Sequence, residues 1–250
     1  MSMHFHSLAP VLNKLRTRST LSNQDCEAIL ALPFRYTNFE KGNFLAHEGD
    51  RTDICWALLE GFIYRHKATS LGEMQILSLH LAGDLVDLQN SLLGLAHHSV
   101  QALTSVTVAW IPSSQLMALA EAHPPVARAL WTDTFVNASI SHEWLLNLGR
   151  RTARQRIAHL FCELALRERA IGETSHYHVP LNQDQIAATT GITVVHVNRT
   201  LQGMRADGLI RLVVNKLSIL DWAALKRAGD FNSAYLHLKD SVALERQMAA

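Results

Sequence analysis

The chain has 250 residues, 48% hydrophobic and 18% charged, a balance that excludes disordered and collagen-like classes and suits one large or two modest globular domains. Its 23 Lys and Arg offset 22 Asp and Glu, so a uniformly basic nucleic-acid binder is excluded and any basic surface must be local. Cys26, Cys55 and Cys162 are far apart and form no CxxC pair, which reads as reduced thiols in a cytoplasmic protein. The first residues lack the basic start and apolar run of an export signal, and no stretch of about 18 apolar residues offers a membrane span.

Residues 1–33 read as a helical lead-in, with Leu8, Val11, Leu12 and Leu15, then Leu21, Ile29 and Leu30, at helical spacing. From residue 34 to 123 the texture changes to short apolar runs punctuated by Lys41-Gly42, Gly49-Asp50, Glu60-Gly61, Leu71-Gly72 and Ala82-Gly83-Asp84. Segments 54–59, 62–66 and 74–79 are rich in β-formers, and Val100 to Trp110 closes the set as a further strand, which predicts an antiparallel roll or barrel. After Ile111-Pro112 a short capped helix precedes Pro124-Pro125, which starts a long helix free of Pro and Gly from Val126 to Leu148.

That helix carries two apolar stripes: Val126, Leu130, Ile140 and Trp144 on one, Trp131, Phe135, Ala138 and Leu145 on its neighbour. A helix attached to one roll needs a single buried stripe, so the second predicts a symmetry mate and a two-fold dimer through residues 126–148. Gly149 is expected to end the helix and mark a boundary, giving a dimerisation helix over 124–149 and a second domain over 150–225.

Within the second domain, residues 181–201 have the grammar of a helix-turn-helix. Asn182 caps a first helix beginning at Gln183, Ile186 and Ala187 face inward, Gly191 supplies a left-handed turn, and Thr193 caps a second helix that buries Val197 and Leu201. Val194, Val195, His196, Asn198, Arg199 and Gln202 are displayed: Arg199 can donate twice to guanine, Asn198 or Gln202 can pair with adenine, and either valine can meet a thymine methyl. A hairpin around Asn215-Lys216 adds a wing, placing Lys216 against the phosphate backbone. Arg150, Arg151, Arg154, Arg156, Arg199, Arg205, Arg211 and Lys216 gather the cations in this half. From Asp221, a cap before Trp222, Ala223, Ala224 and Leu225, the chain restarts as a helix, and the tail over 226–250 frays into small and charged residues near Ala250 and receives no function.

A glycine-punctuated β-roll, a long helix and a winged helix-turn-helix, in that order, resemble the Crp/Fnr family of bacterial transcription regulators over residues 22 to 225. The fold class is therefore α+β, with an N-terminal jelly-roll-like antiparallel β-roll over 34–123, a long dimerisation helix and a C-terminal winged helix-turn-helix domain. The resemblance implies a homodimer on inverted-repeat promoter sites in double-stranded DNA, with RNA polymerase as a partner. Members that bind cyclic AMP place a Gly-Glu pair where Asp87 and Leu88 stand, and an Arg-Ser pair where His98 and Ser99 stand. Loss of that arginine argues against cyclic AMP, while Asp87, Leu88, His98 and Ser99 remain the candidate effector pocket. An iron-sulfur cluster is disfavoured because Cys26 and Cys55 stand alone, and Val195 replaces a glutamate that reads cytosine in many relatives.

No nucleophile elbow, phosphate loop, zinc-protease motif or dinucleotide fingerprint is present, so an enzyme is not expected and no cofactor is assigned. The histidines in His4-Phe5-His6, His97-His98 and His176-Tyr177-His178 lack a third ligand at metal spacing. The competing reading from another class is a small-molecule sensor or adaptor whose helical half binds protein partners and not DNA.

Overall fold

The computed structural model describes residues 7–172, 177–213 and 216–249, in two compact units, Met1–Thr134 and Phe135–Ala250. The first unit opens with helices α1 (Ala9–Arg16) and α2 (Asn23–Leu30). A reciprocal capping box between Ser22 and Asp25 starts α2. The strands follow as β1 (Arg35–Phe39), β2 (Phe44–Ala46), β3 (Ile54–Glu60), β4 (Ile63–Ala68), β5 (Met74–His80) and β6 (Leu85–Val86). A short helix α3 (Leu88–Leu93) then leads to β7 (Ser99–Ala102), β8 (Val106–Pro112), α4 (Ser113–Ala122) and the long α5 (Pro124–Arg150).

Two four-stranded antiparallel sheets, ordered β1-β8-β3-β6 and β2-β7-β4-β5, make the roll. Leu58, Ile63, Val86, Val100, Ala102, Val106 and Val108 form one apolar core in it, while β3 and β8 also meet α1, α2, α4 and the start of α5 in a larger one. The stretch read as one strand from Val100 to Trp110 is two, because the chain leaves one sheet at Ala102 and enters the other at Val106. Both segments bury apolar side chains, so hydrophobicity continues across the corner and conceals it. Strands β1, β2 and β6 and helix α3 carry too few alternating residues to stand out in the sequence.

The lead-in helix is an integral part of this unit. The buried Lys14 ammonium lies 2.9 Å from Asp84 and 2.8 Å from Asp133, and Arg18 reaches the same Asp133 oxygen at 2.6 Å. Helix α1 thereby meets both the turn before β6 and helix α5, with opposite charges offsetting the desolvation of each. The approach is close enough that a Cβ on Gly83, at φ +93°, would sit 2.6 Å from the Pro10 carbonyl oxygen.

Helix α5 runs one residue past Gly149, to Arg150. The stop comes from Thr152, whose capping box with Gln155 starts the next helix, so the glycine does not end α5. Of its two stripes, Val126, Leu130, Ile140 and Trp144 are buried, whereas Trp131, Phe135 and Leu145 stay 64–69% exposed and Ala138 is also exposed.

In the second unit α6 (Ala153–Ile171) is the central element, followed by β9 (Tyr177–His178), α7 (Gln183–Thr190), α8 (Val194–Ala206), β10 (Ile210–Val213), β11 (Lys216–Ile219) and α9 (Trp222–Ala228). The strands pair antiparallel in the order β10-β11-β9. Asp221 caps α9 as the sequence predicts, accepting from the Ala224 amide at 2.8 Å, and a 3-10 turn (Ser233–Leu236) and α10 (Ser241–Ala249) follow, with Phe231, Leu236 and Leu238 buried. Their irregular spacing matches neither a helical nor a strand period, which hides the packing from sequence. On α6, Glu163 has no exposed surface and accepts hydrogen bonds from Trp144 Nε1, Tyr235 Oη and Arg167. Cys26, Cys55 and Cys162 are free thiols, and burial pushes the latter two well above the usual thiol range.

Gly83→Ala should cost about 2–4 kcal/mol, combining a left-handed alanine with a clash against backbone, read as a lower urea midpoint. Burial, with repulsion from Arg151, lowers His159 to about 4. The unfolded chain then takes up a proton between about pH 6.5 and 4 that the folded chain refuses, so this contribution is present above 6.5 and lost on acidification. The loss approaches about 3 kcal/mol by pH 4, and His159→Gln should flatten that part of the stability curve in urea unfolding series.

Candidate nucleic-acid interface

The helix-turn-helix is set by three local devices. Asn182 Oδ1 accepts from the Gln185 amide at 2.8 Å, Gln185 Oε1 accepts from the Asn182 amide at 3.0 Å, and α7 starts there. Gly191 closes α7 at φ +62°, a conformation that glycine adopts without Cβ strain. Thr193 Oγ1 accepts from the His196 amide at 3.3 Å and starts α8. Ile186, Ala187, Val197, Leu201 and Met204 are buried, so the inner face of the pair is apolar and its orientation is fixed.

The outer face is the candidate site. Gln183, Val194, Val195, Asn198, Arg199 and Gln202 line one hollow of about 490 Å³ at the start of α8. Val195 is 71% exposed, an apolar side chain kept in water by the helix it sits on. Asn198 Nδ2 donates to Gln183 Oε1 at 3.2 Å, so the first helix orients a side chain of the second. His196 is exposed on α8 but is not among the residues lining the hollow. Asn182 and Thr193 have their oxygens committed to the caps, leaving the Asn182 amide N–H groups and the Thr193 hydroxyl proton as donors. Lys216 begins β11 opposite Val213 and is exposed, while its neighbour Asn215 lies outside the described residues.

The cations of this half divide by role. Arg150, Arg199, Arg205, Arg211 and Lys216 are exposed. Arg151 is buried among Glu143, Asn147 and Asp230, and Arg154 pairs with Asp207 at 2.6 Å. Arg156 donates to the Arg151 and Thr190 carbonyls at 2.8 Å and so braces the turn at Gly191. Three arginines that charge counting assigns to phosphate thus have partners within the protein, Arg154 in an ion pair at the surface, because carbonyls and carboxylates within reach compete for the guanidinium.

In the roll, the four residues read as one pocket do not converge. Asp87 and His98 are buried against each other, Ser99 Oγ accepts from the Glu48 amide at 3.1 Å, and Leu88 packs on the apolar core and lines a separate groove of about 460 Å³ with Leu92, Met117 and Trp131. The reason is α3, which begins at Leu88 and turns that side chain away from Asp87. Arg65 and Asn90, which no sequence motif singled out, complete the Asp87 cluster. A register shift between Arg65 and His66 in the β4–β5 pairing accompanies the inward turn of this segment, a feature without a residue-type signal. Among the described residues no three His, Cys, Asp or Glu side chains group as a metal site; His4, His6 and His176 lie outside them. Among the described residues no helix is long and apolar enough to cross a membrane.

Residues 155–228 match the model of the Crp-like helix-turn-helix domain, and residues 36–123 that of the cyclic nucleotide-binding domain. The chain is 29% identical over 216 residues to the transcriptional activator protein anr of Pseudomonas aeruginosa, covering 86% of this chain and 87% of that one. It is 26% identical over 217 residues to the nitrogen fixation regulation protein FixK of Bradyrhizobium diazoefficiens, covering 85% and 90%. The solved structure of FixK2 from Bradyrhizobium japonicum shares the fold at a TM-score of 0.71 and 23% identity, over 79% of this chain and 98% of that one.

The division of cations is testable by stability alone. Arg156→Ala should cost about 1–3 kcal/mol in urea unfolding, because two buried-side carbonyls lose a charged donor. Arg199→Ala, on an exposed face, should stay within about 0.5 kcal/mol of the parent.

Proposed function

The chain belongs to the Crp/Fnr family of DNA-binding transcription regulators, and on that premise we propose that it acts as a homodimer on inverted-repeat promoter sites, with α8 in the major groove. The observation that carries this reading is the exposed hollow in which Gln183 of α7 meets Val194, Val195, Asn198, Arg199 and Gln202 of α8, a helix whose other face is buried. Arg199 donates to guanine, Asn198 or Gln202 pairs with adenine, and Val194 or Val195 meets a thymine methyl. Gln183 takes one Asn198 N–H and leaves the second N–H and the carbonyl for a base edge. Asn182, Thr193 and His196 donate toward phosphate, and Lys216 on the wing does the same from the far side.

The exposed stripe of Trp131, Phe135, Ala138 and Leu145 supports pairing of two copies along α5. In this reading 34–123 is the sensor roll, 124–149 the dimerisation helix and 150–225 the reader, with 226–250 as a tail. RNA polymerase, by family resemblance, is the partner at the promoter, and the protein works in the cytoplasm without cyclic AMP.

Selection of bound duplexes from a random pool, at two salt concentrations, tests the reading. An inverted repeat should be enriched, with affinity falling steeply as salt rises. Arg199→Ala should cost about 1–3 kcal/mol on that site and relax one base pair in each half. Enrichment of a single unrepeated half-site would refute the dimer, and uniform weakening on every sequence would make Arg199 a phosphate contact.

A further inference from the structure

Asp87 combines two unfavourable features. It holds φ +64°, a left-handed conformation that strains an L side chain, and its carboxylate is buried, with the residue 1% exposed. The buried charge is met at one carboxylate oxygen. Asp87 Oδ1 lies 2.9 Å from His98 Nε2 and 3.2 Å from Arg65 Nε, and Asn90 Nδ2 lies 3.3 Å from the same imidazole nitrogen. Although burial raises it, the His98 hydrogen bond and the Arg65 charge hold the Asp87 carboxyl below its ordinary value. The fit is still imperfect: Asp87 Oδ2 and Asn90 Oδ1 have no hydrogen-bond partner, and Arg65 Nε makes an ion pair without hydrogen-bond alignment.

We infer that Arg65 and His98 form an oxyanion-binding site that the chain keeps filled with its own Asp87 carboxylate. A half-buried guanidinium, its Nε out of water, and an imidazole converging on one carboxylate oxygen are the donor set that recognises a small oxyanion. The tenant is tethered, strained and incompletely satisfied, so the geometry belongs to the receptor pair and is not optimised for Asp87. The anion of a cyclic nucleotide, which the matched domain model implies, does not fit beside it. It would meet a buried negative charge, with the guanidinium of the cluster already engaged. The Ser91 amide donates to the Asp87 carbonyl at 2.9 Å as α3 begins, so the built-in anion also anchors that helix. The roll therefore holds an anion-bound arrangement without an effector.

Asp87→Gly removes the carboxylate and suits the backbone, leaving space for a free carboxylate. The full-length variant should unfold about 5 °C or more below the parent, followed by tryptophan emission. About 100 mM formate or acetate should restore at least half of that loss, and sodium chloride at equal ionic strength should not. Asp87→Asn, which loses the charge but fills the space, should be destabilised and not rescued. If the glycine variant does not accumulate folded, refolding yield with and without formate reads the same property. A parent protein saturably stabilised by cyclic AMP would overturn the inference. So would a glycine variant as stable as the parent, a glycine variant that formate and acetate leave unchanged, or an asparagine variant rescued equally well.

Discussion

Glu163 sits on α6 with no exposed surface, and three donors from three places in the chain converge on its carboxylate: Trp144 near the end of α5, Arg167 one turn along α6, and Tyr235 in the tail. An isolated carboxylate at that depth would cost several kcal/mol, so the three elements are held to one arrangement by the need to satisfy it. His159 extends the network, with Nε2 2.9 Å from the Tyr235 hydroxyl and its ring stacked on Tyr235. Burial and the Glu163 charge hold the Tyr235 hydroxyl protonated far into the alkaline range, so it stays a donor. The rest of the second unit is assembled on a helix fixed in this way.

From that helix a second set of polar contacts leads to the reader. Arg156, on the first turn of α6, links the Arg151 carbonyl just beyond α5 to the Thr190 carbonyl at the turn of the helix-turn-helix. The segment just beyond α5 and the turn that ends α7 are therefore connected through short, charge-assisted bonds at Arg156. In the proposed dimer, the spacing of two reader helices would depend on how rigidly each is carried from α5. Arg151, buried between Glu143, Asn147 and Asp230, adds a contact from the tail segment to the same joint.

The first unit solves its buried charges by internal pairing too, with Lys14 between Asp84 and Asp133, and Asp87 between Arg65 and His98. Each pair joins elements distant in sequence, and each removes from solvent a residue that composition alone would assign to the surface. Charge counting overestimates the phosphate-facing cations for this reason: Arg151, Arg154 and Arg156 have nearer partners within the protein.

The features legible in the sequence are those whose cause is local. The caps at Asn182 and Thr193, the left-handed turn at Gly191 and the 3.6-residue burial of Ile186, Val197 and Leu201 depend on neighbours within a few positions, so the reader and its displayed face could be read residue by residue. The glycine turns of the roll and the two stripes of α5 have the same origin, as backbone freedom and helical period are properties of short segments. Tertiary structure alone decided which charges meet. Arg65 reaches Asp87, Lys14 reaches Asp133, and Tyr235 reaches Glu163 across 22, 119 and 72 positions of chain. Such pairs are chosen by desolvation in a folded interior, where any carboxylate must find whichever donor the fold brings within about 3 Å, and no spacing rule along the chain encodes that choice.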